Sequence, residues 1–78
     1  MELLKELLKD YPRAIEGLEA IEKRTRLYNT TPGDTYRNQC NLLVQQIIGY
    51  TLALRDTDQI GANTSDLIID KVKEYRIV

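Results

Sequence analysis

Histidine, tryptophan and phenylalanine are absent from these 78 residues, and cysteine occurs once. Without histidine the chain lacks the commonest zinc ligand and the usual general base at neutral pH. A single cysteine, Cys40, excludes an intrachain disulfide, and its place among apolar residues suits a small buried hydrophobe in a reducing compartment. Charge of one sign is also missing. The formal net charge is −1, with six acids and six bases in residues 1–28 and three of each in residues 63–78, so no acidic or basic face is implied. Nor is there a long apolar run. The longest uncharged stretch, Asn38 to Leu54, is interrupted by Asn41, Gln45 and Gln46 and falls short of the ~20 apolar residues of a membrane span. The first ten residues, MELLKELLKD, carry charges throughout their apolar part, unlike a secretory signal, so a cytoplasmic location is expected.

What the chain does have is two apolar stripes stepping by alternating threes and fours, the period of one helix packed on another. The first comprises Leu4, Leu7, Tyr11, Ala14, Leu18, Ile21, Thr25 and Tyr28; the second comprises Tyr36, Cys40, Leu43, Ile47, Tyr50 and Leu54. A turn at residues 29–35 would pair them outward as an antiparallel hairpin, with Tyr28 against Tyr36, Thr25 against Cys40 and Ala14 against Tyr50. The expected fold is all-α, one domain over residues 1–78: a first helix kinked at Pro12, an antiparallel second helix to about Arg55, and a short third helix, forming a small helical bundle.

Local signals place the boundaries. Pro12 cannot donate to the carbonyl four residues back, yet the stripe keeps its phase from Leu7 to Tyr11 to Ala14, which favours a kinked continuous rod with Asp10 as a cap. Pro32-Gly33 suits a type II turn, and Thr31 with Asp34 suits a helix start of capping-box type. Asp56 to Ala62 reads as a loop, with Asn63 or Thr64 capping the last helix and Ile68, Ile69, Val72 and Tyr75 as its apolar stripe. Gly17 and Gly49 fall inside helices, where each costs about 1 kcal/mol relative to alanine, which suggests close backbone approach at both.

Three constellations invite a chemical reading. Asp56-Thr57-Asp58-Gln59-Ile60-Gly61 opens like a calcium loop, but Ile60 takes the fifth position and Leu67 the twelfth, so a turn and capping role is expected. The same region could form a helix-turn-helix, but Lys71, Lys73 and Arg76 are offset by Asp66, Asp70 and Glu74 where a recognition helix needs net positive charge. Lys23, Arg24 and Arg26, beside Tyr28, form the one basic cluster. It complements the negative end of its helix, and its alternative use is to bind a nucleotide phosphate or nucleic acid.

No catalytic residues, metal or cofactor are implied, since the carboxylates, including Glu16 with Glu19, are scattered over solvent faces. A domain of this size buries only about 60 per cent of the surface its unfolded chain exposes. Leu3, Leu4, Leu7 and Leu8 exceed what one short helix can cover, so self-association, most simply as a dimer, is expected, with Leu3, Leu4, Leu7, Leu8, Ile69 and Val72 as the interface. The function expected is a non-catalytic protein–protein interaction module, a small regulator or inhibitor of the bacterial or phage kind, binding itself or another protein and no membrane.

Overall fold

Where the backbone can and cannot hydrogen-bond divides the chain into four helices. The computed structural model describes Met1 to Val78 as α1 (Glu2–Leu7), α2 (Pro12–Thr30), α3 (Asp34–Asp56) and α4 (Ala62–Lys73), with no strand. The molecule is an all-helical small bundle. At 1.5 Å per residue α3 is about 34 Å long, nearly the full 39 Å of the molecule. It is the element on which α2 and α4 both pack, while α1 lies against α4 and α2.

Pro12 decides the first boundary. The stretch expected as one kinked rod is divided into α1 and α2, separated by Leu8 to Tyr11. Pro12 has no N–H, so the Leu8 carbonyl instead accepts from Tyr11 N at 2.9 Å, a tighter bond than the helical one. Tyr11 is forced off the helical region (φ −122°, ψ 87°), as a residue before proline must be. Pro12 then serves as the first residue of α2, where its missing donor costs nothing.

The helix starts differ from expectation in one respect. The residues preceding α2, α3 and α4 are Tyr11, Gly33 and Gly61, and none caps through a side chain. Thr31 instead closes α2, its N–H bonding Leu27 O at 2.8 Å, and Asn63 and Thr64 lie inside the first turn of α4. Gly33 has φ 152°, a conformation open essentially to glycine alone, and this rather than a type II turn lets the connection reverse within three residues.

The core collects Leu4, Leu8, Ala14, Leu18, Ile21, Cys40, Val44, Ile47, Ile48, Leu54, Ile68 and Val72. Contacts between α2 and α3 are close. Tyr11 meets Tyr50 edge to face with ring centroids 6.4 Å apart, Thr25 Oγ1 lies 3.6 Å from Cys40 Sγ, and a Cβ on Gly17 would stand only 2.7 Å from Ile47 Cδ1. Gly17 is thus a point of close approach. Gly49 is not: it faces solvent, and nothing comes within 4 Å of where its Cβ would be.

Two buried polar side chains turn back on the backbone of their own helices. Thr51 Oγ1 donates to Ile47 O at 2.8 Å and Ser65 Oγ to Ala62 O at 2.8 Å, so no buried side-chain oxygen or nitrogen is left without a partner.

Candidate functional site

The apolar residues expected at an interface divide sharply. Leu4, Leu8 and Val72 are in the core, so they cannot form a surface. They are covered because α4 returns to pack on α1, filling the place that a second subunit was expected to take. Leu3 is 46% exposed, and Leu7 and Ile69 are half-buried. Leu3 borders a shallow depression with Met1, Leu4, Lys71, Glu74 and Tyr75. Beside it, Lys71 Nζ stands 3.6 Å from Glu74 Oε2.

The basic cluster is spread around α2 rather than gathered. Lys23 and Arg26, three residues apart, share an exposed face. Arg24 is turned toward α3, where its Nε donates to Gln39 Oε1 at 2.6 Å, and Tyr28 is half-buried. The four do not line one cavity. Beyond the end of α4, Arg76 similarly reaches α3, Nη2 donating to Gln45 Oε1 at 3.4 Å.

The calcium-like segment is a helix terminus. Asp58 adopts the left-handed conformation (φ 59°), Gln59 N bonds Leu54 O at 2.8 Å and Asp58 N bonds Arg55 O at 3.0 Å. That is the Schellman pattern, with aspartate where glycine is usual. Asp56 and Asp66 lie 4.0 and 3.9 Å from the Arg55 guanidinium. No group of three or more cysteine or carboxylate side chains is placed to hold a metal ion, and no helix is long and apolar enough to cross a membrane.

The shifted ionisable groups are surface lysines. Lys5 is raised above its ordinary value chiefly by its hydrogen bond to Glu22, to which its Nζ comes within 2.7 Å. Lys9 is raised in the same way by Glu6 at 3.1 Å. These are α1 contacts with structural roles: the Lys5 pair ties α1 to α2.

The surface that departs from an ordinary solvated helix is the outer face of α3. At about 100° per residue, Asn38, Leu42, Gln45, Gln46, Gly49 and Ala53 share a side opposite the buried Cys40, Val44, Ile47 and Thr51, and all six are exposed. Leu42 is 60% exposed, the most of any large apolar residue short of the chain terminus. No α3 residue on this face between Asp34 and Asp56 is charged, the Arg76 guanidinium reaching Gln45 from one edge, and Asp34 and Asp56 each have an arginine of their own helix beside them, Arg37 and Arg55. No protein-family model, curated protein or solved structure matches the chain.

The uncharged stretch from Asn38 to Leu54 has one buried and one exposed side. The signal that would have separated the two sides is a second three-four spacing, residues 35, 38, 42, 45, 49, 52 and 56, offset from the core stripe. A second feature had no such signal. The Asn41 side chain grips the backbone of Ile77 in both directions, Nδ2 donating to its carbonyl and Oδ1 accepting from its N–H, each at 2.8 Å. Cys40 Sγ donates to Tyr75 O at 3.4 Å in the same region. The segment after α4 is thereby laid along α3.

Proposed function

We propose that this protein is a non-catalytic protein–protein interaction module, a small helical regulator or inhibitor that acts by oligomerising and by surface binding. The observation that carries this reading is the outer face of α3. Solvated helix faces are rich in charge, and a face with none over sixteen residues, centred on a leucine that is 60% exposed, is the composition of a surface that is covered at least part of the time. Leu3 and the half-buried Leu7, four residues apart on one face of α1, form a second, smaller apolar patch, and Ile69 is half-buried on α4.

In this reading α2 and α3 serve as an antiparallel hairpin, supported by contacts in which rising numbers on α2 meet falling numbers on α3, from Tyr11 with Tyr50 to Thr25 with Cys40. The break at Pro12 turns α1 back along α2, so that Lys5 meets Glu22 and Leu4 lies near Tyr75. A non-catalytic role is supported by how the polar side chains are used: Thr51 and Ser65 bond their own helices, and Asp34 and Asp66 pair with Arg37 and Arg55. The buried, unpaired Cys40 fits a reducing compartment such as the cytoplasm.

Comparing wild type with Leu42→Glu as baits for affinity capture, with circular dichroism confirming that both are folded, tests the assignment. A captured set that is identical for the two baits overturns it. The alternative of a phosphate or nucleic-acid ligand rests on Lys23 and Arg26, exposed on a shared face. Nucleotide and oligonucleotide titrations at two salt concentrations test it, since phosphate contacts weaken steeply with salt.

A further inference from the structure

The outer face of α3 is complementary to itself. Leu42 projects from it and Gly49 forms a gap in it, and they lie seven residues apart, two turns of helix, on the same side. Gly49 has no neighbour within the chain that requires a glycine, in contrast with Gly17, whose missing Cβ makes room for Ile47. We infer that the occupant of this face is a second copy of the chain, with the two α3 helices antiparallel about a two-fold axis near residues 45 and 46, so that Leu42 of each copy seats over Gly49 of the other. This inference rests on the reading of the protein as an interaction module and names its partner.

Three considerations select a second copy over an unrelated partner. First, a two-fold antiparallel pairing that sets Leu42 against Gly49 also sets Asn38 against Ala53 and Gln45 against Gln46. Long side chains then meet small ones, and the amides, which carry both donors and an acceptor, meet their own kind. Second, the α3 residues of the face carry no charge of their own, and the two guanidinium groups that reach it, Arg76 on Gln45 and Arg24 on Gln39, come from its edges, so pairing the face with itself leaves them at the rim. Asp34 and Asp56 at its ends already have Arg37 and Arg55 beside them.

Third, the area fits a reversible dimer. From Asn38 to Ala53 the face is about 22 Å long and about 10 Å wide, well below the ~800 Å² per partner of a standard stable interface. Association is therefore weak, with dissociation at roughly tens to hundreds of micromolar.

The test is sedimentation equilibrium from about 5 µM to about 1 mM, a range that brackets such a constant. Wild type shifts from monomer to dimer. Leu42→Ala removes the projection and Gly49→Leu fills the gap, and each weakens association by about tenfold or more. The double variant Leu42→Ala, Gly49→Leu exchanges the two and restores association to within about threefold of wild type, because each new leucine meets an alanine across the axis. Both positions are exposed, so thermal unfolding at low concentration reports folded monomer for every variant.

A wild type that stays monomeric throughout, or a double variant no tighter than the weaker single one, overturns the inference. If the dimer ignores these substitutions and is broken by Leu3→Glu with Leu7→Glu, this pairing is wrong and self-association stands on the other patch. If wild type is monomeric while Leu42→Glu loses a captured protein, the second copy is wrong and the face belongs to a different partner.

Discussion

Alanine at Gly17 and alanine at Gly49 make a controlled comparison, because the two glycines sit inside helices and differ in what surrounds them. In each case replacing glycine gains about 0.8–1.0 kcal/mol of helix propensity. At Gly49 nothing lies within 4 Å of the new Cβ, so the gain is realised in full. At Gly17 the Cβ would be 2.7 Å from Ile47 Cδ1 and 3.5 Å from its Cγ1. Ordinary contact requires the methyl to withdraw by somewhat less than 1 Å, yet Ile47 is only 4% exposed and held in the core. Overpacking of this kind costs about 1–3 kcal/mol. Gly49→Ala should therefore stabilise by about 1 kcal/mol, a rise of about 4–8 °C in Tm for a domain of this size, while Gly17→Ala should be neutral to about 2 kcal/mol destabilised. Urea unfolding followed by circular dichroism, at concentrations where the chain is monomeric, reads both as shifts of midpoint at constant slope. Ile47→Val deletes Cδ1 and should cost less in the Gly17→Ala background than alone. Equal stabilisation by the two alanines would refute the close approach of α2 to α3 at Gly17.

Leu8→Ala should cost about 2–5 kcal/mol, because Leu8 is fully buried; in a chain of this length that is a large part of a total near 4–12 kcal/mol, measurable by the same urea titration. Asn41→Ala removes both bonds to Ile77 and should release the segment after α4, seen as loss of amide protection at Ile77 with the helical signal retained. Lys5 should titrate above an ordinary lysine and return toward 10.5 in Glu22→Gln, followed by NMR of the side chain. Because its pKa is raised on folding, the stabilisation from this pair is complete below the unfolded lysine value of 10.5 and lost as pH rises through the folded one, so neutral-pH stability is insensitive to pH on its account.

Helical class and the identity of much of the core were legible in the chain. Ala14, Leu18, Ile21, Cys40, Ile47 and Leu54 of the two stripes are buried, because a three-four spacing over this many residues admits few other solutions. The limits of legibility have physical causes. Leu4 and Leu8 looked surplus because a stripe says that a face is covered and not by what; only the path through residues 57–61 determines that α4 comes back over α1. Val72 was assigned outward for the same reason. The basic cluster looked gathered because its members are close in sequence, but consecutive positions on a helix point about 100° apart, and Arg24 leaves its neighbours to meet Gln39. Leu42 was hidden inside an uncharged run whose two sides differ only in phase. The Asn41 grip on Ile77 involves an ordinary asparagine and could not be anticipated from spacing at all.

The packing of α1 on α4 joins the first helix to the last and has a kinetic meaning. Contacts between α2 and α3 close a short connection of three residues, whereas α1 cannot meet α4 until nearly the whole chain has been gathered, at a larger entropic cost of loop closure. The bundle should therefore form from α2 and α3 outward, and α1 with its leucines should dock late. It should also be the first part to open, since α1 is six residues long and cannot hold itself as a helix in isolation. Native-state hydrogen exchange would then find two cooperative units in this short chain. The less stable of them, when it opens, would bring Leu4 and Leu8 into solvent and briefly present the leucine-rich surface that the folded molecule keeps covered.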